Sequence, residues 1–206
     1  MAGQFLAYLS TQSEDSFIRA TKLRLRNIEF SKVFELTSGN KVLPTNSKDP
    51  IVSRIEEASK NVASRVNKDG ISKLAGRIDE VSNKLEVILA EELRKLGTKA
   101  NNLGFSGYPD IMIDEPPRTI YVEVKLAGQV QLGSGFRSFY YQPAEGAKGK
   151  VVHDGNHILV GFVHANGKIT GIKIVDLSKI RVTLKSEWNT NNVELYSSKN
   201  ILRQWP

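Results

Sequence analysis

The sequence predicts a mixed α/β or α+β protein, helices first and strands after, and three observations carry that reading. Between Ile71 and Leu96 apolar residues recur at three- and four-residue steps, the spacing of one helix face. Beyond Gly97 the pattern changes to short β-branched runs bounded by Gly, Pro, Asn and Asp. Helices grouped ahead of strands are the grammar of a sheet with helices packed against it. The 206 residues are expected to form one domain, mainly helical over 1–70 and carrying the core over 71–206.

Taken in order, Ser13 is placed to cap a helix from about Glu14, in which Arg19, Lys22, Arg24 and Arg26 crowd together as a solvated face or as phosphate contacts. Leu36 to Asp49, with Ser, Gly, Asn and Pro, reads as a loop. Asp49 followed by Pro50 is an N-cap and N1 pair opening a helix to about Val66, and Asp69-Gly70 breaks the pattern. The next helix places Ile78, Val81, Leu85, Ile88, Leu89, Leu93 and Leu96 on one side, with Gly97 as its stop. Strands are expected over Asp110 to Ile113, Thr119 to Val124, His157 to Val163 and Lys168 to Val175. Asn166-Gly167 supplies a hairpin turn between the last two. In the tail from Ser186, the apolar Trp188, Tyr196, Ile201, Leu202 and Trp205 are read as packing on the core, with a dimer interface as the alternative.

The absence of cysteine excludes disulfides and thiolate metal sites, and three histidines argue against a structural zinc centre. No apolar run reaches membrane-spanning length, and the first residues lack the basic segment of a secretory signal, so a cytoplasmic protein without membrane contact is expected. A net charge of +7 favours a polyanionic partner.

The most specific stretch runs from Gly107 to Lys125. If Glu115-Pro116-Pro117-Arg118 makes the turn, Asp114 faces Thr119, and counting back sets Asp110 directly opposite Glu123. Opposed residues of an antiparallel pair share a face, with Cβ atoms roughly 5 Å apart. Ile120, Val122 and Val124 then line one face of the second strand, and Tyr121, Glu123 and Lys125 the other. Two carboxylates so close repel unless a cation lies between them, and a hard ion such as Mg²⁺ takes oxygen ligands while retaining waters and phosphate oxygens. A neighbouring lysine can orient or deprotonate water, or stabilise developing charge. The plainer alternative is a surface hairpin with a Glu123–Lys125 ion pair.

These residues, Pro109-Asp110 on one strand, Glu123-Val124-Lys125 on the next and a long helix before them, resemble the PD-(D/E)XK nuclease superfamily, most of all its type II restriction endonucleases. The resemblance is firm from about Leu85 to Ala127 and weaker to about Phe162. It implies a restriction-endonuclease-like core with a central mixed sheet flanked by helices. It further implies Mg²⁺ bound by Asp110 and Glu123, Lys125 assisting the attacking water, and an added glutamate from the preceding helix.

Glu86 fits that last position, since Glu86, Leu89, Leu93 and Gly97 echo the family's steps; Glu92, on the apolar face, is its rival. The later run Asp154 to Phe162 looks like a core strand of the restriction enzymes. Arg137 and Ser138 among aromatics, then Lys148, Lys150 and His153, suit a DNA-facing surface, although the aromatics themselves suit a core strand. The expectation is a Mg²⁺-dependent type II restriction endonuclease of a prokaryotic cytoplasm, acting on double-stranded DNA as a homodimer. A structure-specific nuclease such as a Holliday junction resolvase, and a non-catalytic DNA-binding protein on the same scaffold, are the alternatives.

Overall fold

The structure, a computed structural model, describes residues 26–71, 78–104, 107–135, 137–143, 149–184 and 188–205. The helix expected from Glu14, with Arg19, Lys22 and Arg24, lies outside them, as does Lys148.

The first described elements are strand β1 (Ile28–Glu29), helix α1 (Phe30–Ser38) and the two-residue strand β2 (Val42–Leu43). Part of the segment expected to be a loop is therefore ordered into elements: α1 runs on to Ser38, and β2 pairs in parallel with residues far along the chain, Val42 with Gly155 and Leu43 with Asn156. A strand whose partner is so distant leaves no local periodicity, which is why the sequence did not betray it.

Helix α2 (Pro50–Asp69) begins where Asp49 and Pro50 foretell: the Asp49 side chain accepts the Ile51 N–H at 3.0 Å, satisfying one free donor of the first turn. It continues three residues beyond Val66 and stops at Gly70. Helix α3 (Ile78–Lys95) ends before Gly97, whose φ of 83° is a left-handed stop that glycine adopts without steric cost. The buried residues of α2 and α3 include Ile51, Ile55, Val62, Leu85, Leu89 and Leu93, so the three-and-four spacing is the core face.

The strands build two sheets. The large one runs in the order β11 (Ile201–Trp205), β8 (Lys168–Asp176), β7 (Gly155–Ala165), β5 (Arg118–Gly128), β4 (Ile111–Glu115), β3 (Lys99–Asn102), with β2 also on β7. It is mixed: β5 and β7 are parallel, from Thr119 opposite Gly155 to Gly128 opposite His164, and β4–β5 and β7–β8 are antiparallel. Asn166 and Gly167, both at positive φ, turn the chain between β7 and β8. The smaller sheet joins β1, β9 (Arg181–Leu184), β10 (Trp188–Asn191) and β6 (Arg137–Tyr141), and a short helix α4 (Asn192–Leu195) follows it.

A parallel central pair requires cover on both faces. On one, Ile120, Val122, Val124, Ile158, Val160 and Phe162 meet the apolar faces of α2 and α3. On the other, Tyr121, Leu159 and Val175 meet Phe30 and Phe34 of α1, Phe139 and Tyr141 of β6, and Val182 of β9. The fold is thus mixed α/β, with a central mixed sheet flanked by helices as in restriction endonucleases. The aromatics of 136–141 divide as a half-buried strand should: Phe139 and Tyr141 are core, and Tyr140 is exposed. In the tail, Leu202 is core and β11 pairs with β8, as packing on the core requires. Among the described residues no helix is long and apolar enough to cross a membrane.

Candidate active site

The β4–β5 hairpin brings the acidic residues together. Glu115 pairs with Arg118 around Pro116-Pro117, Asp114 with Thr119 and Ile111 with Val122. The ladder runs one residue past β4: the Asp110 N–H donates to the Val122 carbonyl at 3.1 Å, which carries Asp110 alongside Glu123. Asp110 Oδ2 also accepts the Val124 N–H at 2.7 Å, which fixes the carboxylate across the strand. Lys125, two residues beyond Glu123 on the same side of β5, places Nζ 2.6 Å from Glu123 Oε1. The ion pair of the plainer reading is therefore present, but it is not on the surface: Asp110 is 7% exposed and Glu123 4%.

Burial sets the electrostatics. It raises the pKa of Asp110, against the pull of Lys125 and the Val124 N–H. It raises that of Glu123 too, against Lys125 and with the help of the Asp110 charge. Lys125 behaves in reverse: burial disfavours its charge, but Glu123 and Asp110 more than compensate and hold it cationic.

The two helical glutamates have different surroundings. Glu86 is 4% exposed, and burial, with Asp110 and Glu123 as the next causes, pushes its pKa up to about 8. Glu92 is turned to different partners: its Oε1 lies 2.6 Å from Lys95 Nζ and 3.6 Å from Arg65 Nη1. Six residues separate the two glutamates, which on a helix sets them about 120° apart around the axis. Glu86 therefore lies within the field of Asp110 and Glu123, while Glu92 is ion-paired to Lys95 and Arg65.

The residues present suit a hard divalent cation. Glu123 Oε2 and Glu86 Oε2 are buried oxygens without a hydrogen-bond partner in the structure, a costly condition that a cation or its waters would relieve. Among the described residues no three His, Cys, Asp or Glu side chains converge closely enough to enclose an ion by themselves. That fits Mg²⁺, which is ordinarily held by one or two carboxylates with water and phosphate oxygens completing its shell.

The residues assigned to a DNA-facing surface separate. Lys148 and the side chains of Arg137 and Ser138 lie outside the described residues. His153 is exposed. Lys150 is half-buried, and its Nζ donates to the carbonyls of Gly104 (2.9 Å), Gly107 (2.8 Å) and Pro109 (3.0 Å). Burial lowers its pKa, and the charges of Asp110, Glu123 and Glu86 partly offset this, so Lys150 faces the carboxylate cluster.

Two residues beside the site escaped the sequence reading. Tyr108 precedes Pro109-Asp110, and its hydroxyl lies 2.5 Å from Nδ1 of His157 on β7, with the rings stacked at a 5.8 Å centroid separation. Phe30, Phe34, Phe139 and Tyr141 surround the pair. Burial drives the His157 pKa down to about 3, so the ring is neutral. His157 sits in register with Tyr121, so it shares the face of Glu123, a relation set by the long-range β5–β7 pairing and not by local sequence.

Comparison with known proteins agrees with this geometry. The chain is 28% identical over 214 residues to the type II restriction enzyme MjaV of Methanocaldococcus jannaschii, across 91% of this chain and 93% of the relative. The sequence model of the type II restriction enzyme MjaV family matches residues 23–199, which include the whole β4–β5 hairpin, α3 and both flanking layers. A match over that span settles the kinship: the chain belongs to the type II restriction enzyme MjaV family.

Proposed function

We propose that this type II restriction endonuclease is a PD-(D/E)XK enzyme that hydrolyses phosphodiester bonds of double-stranded DNA at a short specific site, with Mg²⁺ held by Asp110 and Glu123. The observation that carries the reading is the convergence of two buried carboxylates and one lysine on a single face of the β4–β5 hairpin. Mg²⁺ bound there supplies Lewis-acid neutralisation of the charge developing at phosphorus and acidifies water in its shell. Asp110 is oriented by the Val124 N–H, which its Oδ2 accepts. Glu123 divides its oxygens, Oε1 to Lys125 and Oε2 free of any protein partner.

Lys125, held cationic by its neighbours, is suited to orient the attacking water and stabilise anionic charge by hydrogen bonding, rather than to remove a proton. Glu86, uncharged at neutral pH as the site stands, offers a carboxyl that can hold water or accept a proton as the local charge changes. Cutting both strands of a two-fold site is most simply done by a two-fold dimer, and a homodimer in the cytoplasm of a prokaryotic cell is part of the proposal.

Membership of a restriction enzyme family favours this reading over junction resolution, and the presence of all three hairpin residues favours catalysis over DNA binding alone. Incubating the purified protein with plasmid DNA and Mg²⁺ tests it. Discrete fragments that vanish on chelation, and that Asp110→Asn does not produce, are expected. Cutting confined to branched junctions, or DNA binding with no cutting under any divalent ion, would refute it.

A further inference from the structure

Lys150 is the described cation in this region whose ammonium is spent on backbone carbonyls instead of a carboxylate. An ammonium has three N–H donors arranged as a tripod, and here they meet three carbonyls of the segment leading into β4, those of Gly104, Gly107 and Pro109. The last of these is one peptide from Asp110. Lys150 is itself held in place, because the second and third residues after it are anchored on β5: the N–H groups of Val152 and His153 both donate to the Tyr121 hydroxyl, at 3.3 Å each. Tyr121 lies two residues before Glu123. A continuous set of contacts thus runs from β5 through 150–153 and back to Pro109, closing around the carboxylate pair. A merely solvated lysine would not give up three waters for three carbonyls on one side of an acidic cluster.

We propose that Lys150 is a positioning residue for the metal site: its ammonium clamps the segment before β4 so that the Asp110 carboxylate is held opposite Glu123. The inference rests on the reading of Asp110 and Glu123 as the cation's ligands. It reassigns Lys150 from the DNA-facing role that composition suggested. The clamp acts on Asp110 through the backbone, as groups behind a metal ligand commonly do. Arginine keeps the charge but cannot reproduce the clamp, since a planar fork does not reach three carbonyls that surround one point.

Amide hydrogen exchange of the metal-free protein without DNA tests the clamp directly. In Lys150→Met and Lys150→Arg the amides of Leu103 and Asp110, which bond to the Asp110 and Val122 carbonyls, are expected to exchange about tenfold faster or more, while Val160 within β7 is unchanged. Unaltered exchange at Leu103 and Asp110 would overturn the proposal.

Cleavage measured against Mg²⁺ concentration at saturating DNA is a second readout. Both variants are expected to need about tenfold more Mg²⁺ for half-maximal rate, with the metal-free DNA dissociation constant within about twofold of wild type. A loss of DNA affinity that arginine restores would make Lys150 a phosphate contact and overturn the clamp. Failure of the underlying metal reading is distinguishable: Asp110→Asn would then cleave like the wild type, and the exchange result would still decide the role of Lys150.

Discussion

The two ends of the β4–β5 hairpin treat charge in opposite ways. At the turn end Asp49 and Glu115 each have an arginine. Arg118 bonds both oxygens of Asp49, the cap of α2, with one contact at 2.7 Å, and Arg54 pairs with Glu115. These groups keep 13–31% of their side-chain surface exposed, and the Arg118 pair draws the Asp49 pKa down. A few residues along the same strands, Asp110 and Glu123, together with Glu86 of α3, share Lys125 and the charge of Lys150, and their pKa values rise. One end joins the sheet to a helix at little electrostatic cost. The other concentrates negative charge where water is excluded, an arrangement that lowers stability and that the proposed cation would offset. Burial alone does not separate the carboxylates, since Glu92 is as buried as Glu86 but is ion-paired to Lys95 and Arg65.

The largest expected effect lies at the site end. Asp110→Asn or Glu123→Gln should lower single-turnover cleavage on the order of 10³-fold or more, with a melting temperature equal to or above that of the wild type. A variant that lost activity only by unfolding would break the comparison, and calorimetry alongside the rates decides it.

Next comes acid sensitivity from His157, behind the site end. An unfolded imidazole takes up its proton near pH 6.5, whereas the buried ring resists protonation down to about 3, so within that window the denatured chain binds the extra proton. Stability should fall by up to a few kcal/mol as pH drops from about 6.5 toward 3. Urea midpoints at pH 7 and pH 4.5 should therefore lie closer together in His157→Gln than in the wild type; an unchanged gap would mean that the ring is not the source.

Glu86→Gln sharpens the comparison. The rate should fall about 10- to 100-fold, while removal of a buried ionisable group leaves stability level or improved. The matched change Glu92→Gln should leave the rate within about twofold and cost about 0.5 kcal/mol or less, as for a pair with partly exposed lysine and arginine. Equal effects at the two positions would remove the ground for choosing Glu86.

The smallest effect belongs to the turn end. Arg118→Ala should cost about 1 kcal/mol in urea denaturation and leave Mg²⁺-dependent cleavage nearly unchanged. A large loss of rate there would show that the two ends are not separable.

Much of the molecule was readable because its determinants are local. The cap at Asp49, the stop at Gly97, the turn at Asn166-Gly167 and the Pro116-Pro117 hairpin each rest on residues within a few positions of one another. The hairpin carried its site with it, because register counted from a turn places Asp110 beside Glu123 without reference to the rest of the chain. Residues that act through distant partners were not readable. β2 is a strand only because β7 lies beside it, and Tyr108 meets His157 across 49 positions. Lys150, 41 positions from Pro109, looked like one more basic residue in a basic stretch.

By itself the sequence determined the fold class and the hairpin register that sets Asp110, Glu123 and Lys125 side by side, since periodicity and turn geometry are properties of neighbouring residues. The tertiary structure alone decided that Glu86 is buried in the field of Asp110 and Glu123 while Glu92 is ion-paired, and that Lys150 turns to the backbone. It also decided that both faces of β5 are covered, which makes the carboxylate pair buried. Burial and electrostatic field are sums over atoms brought from everywhere in the chain, and no stretch of sequence contains them.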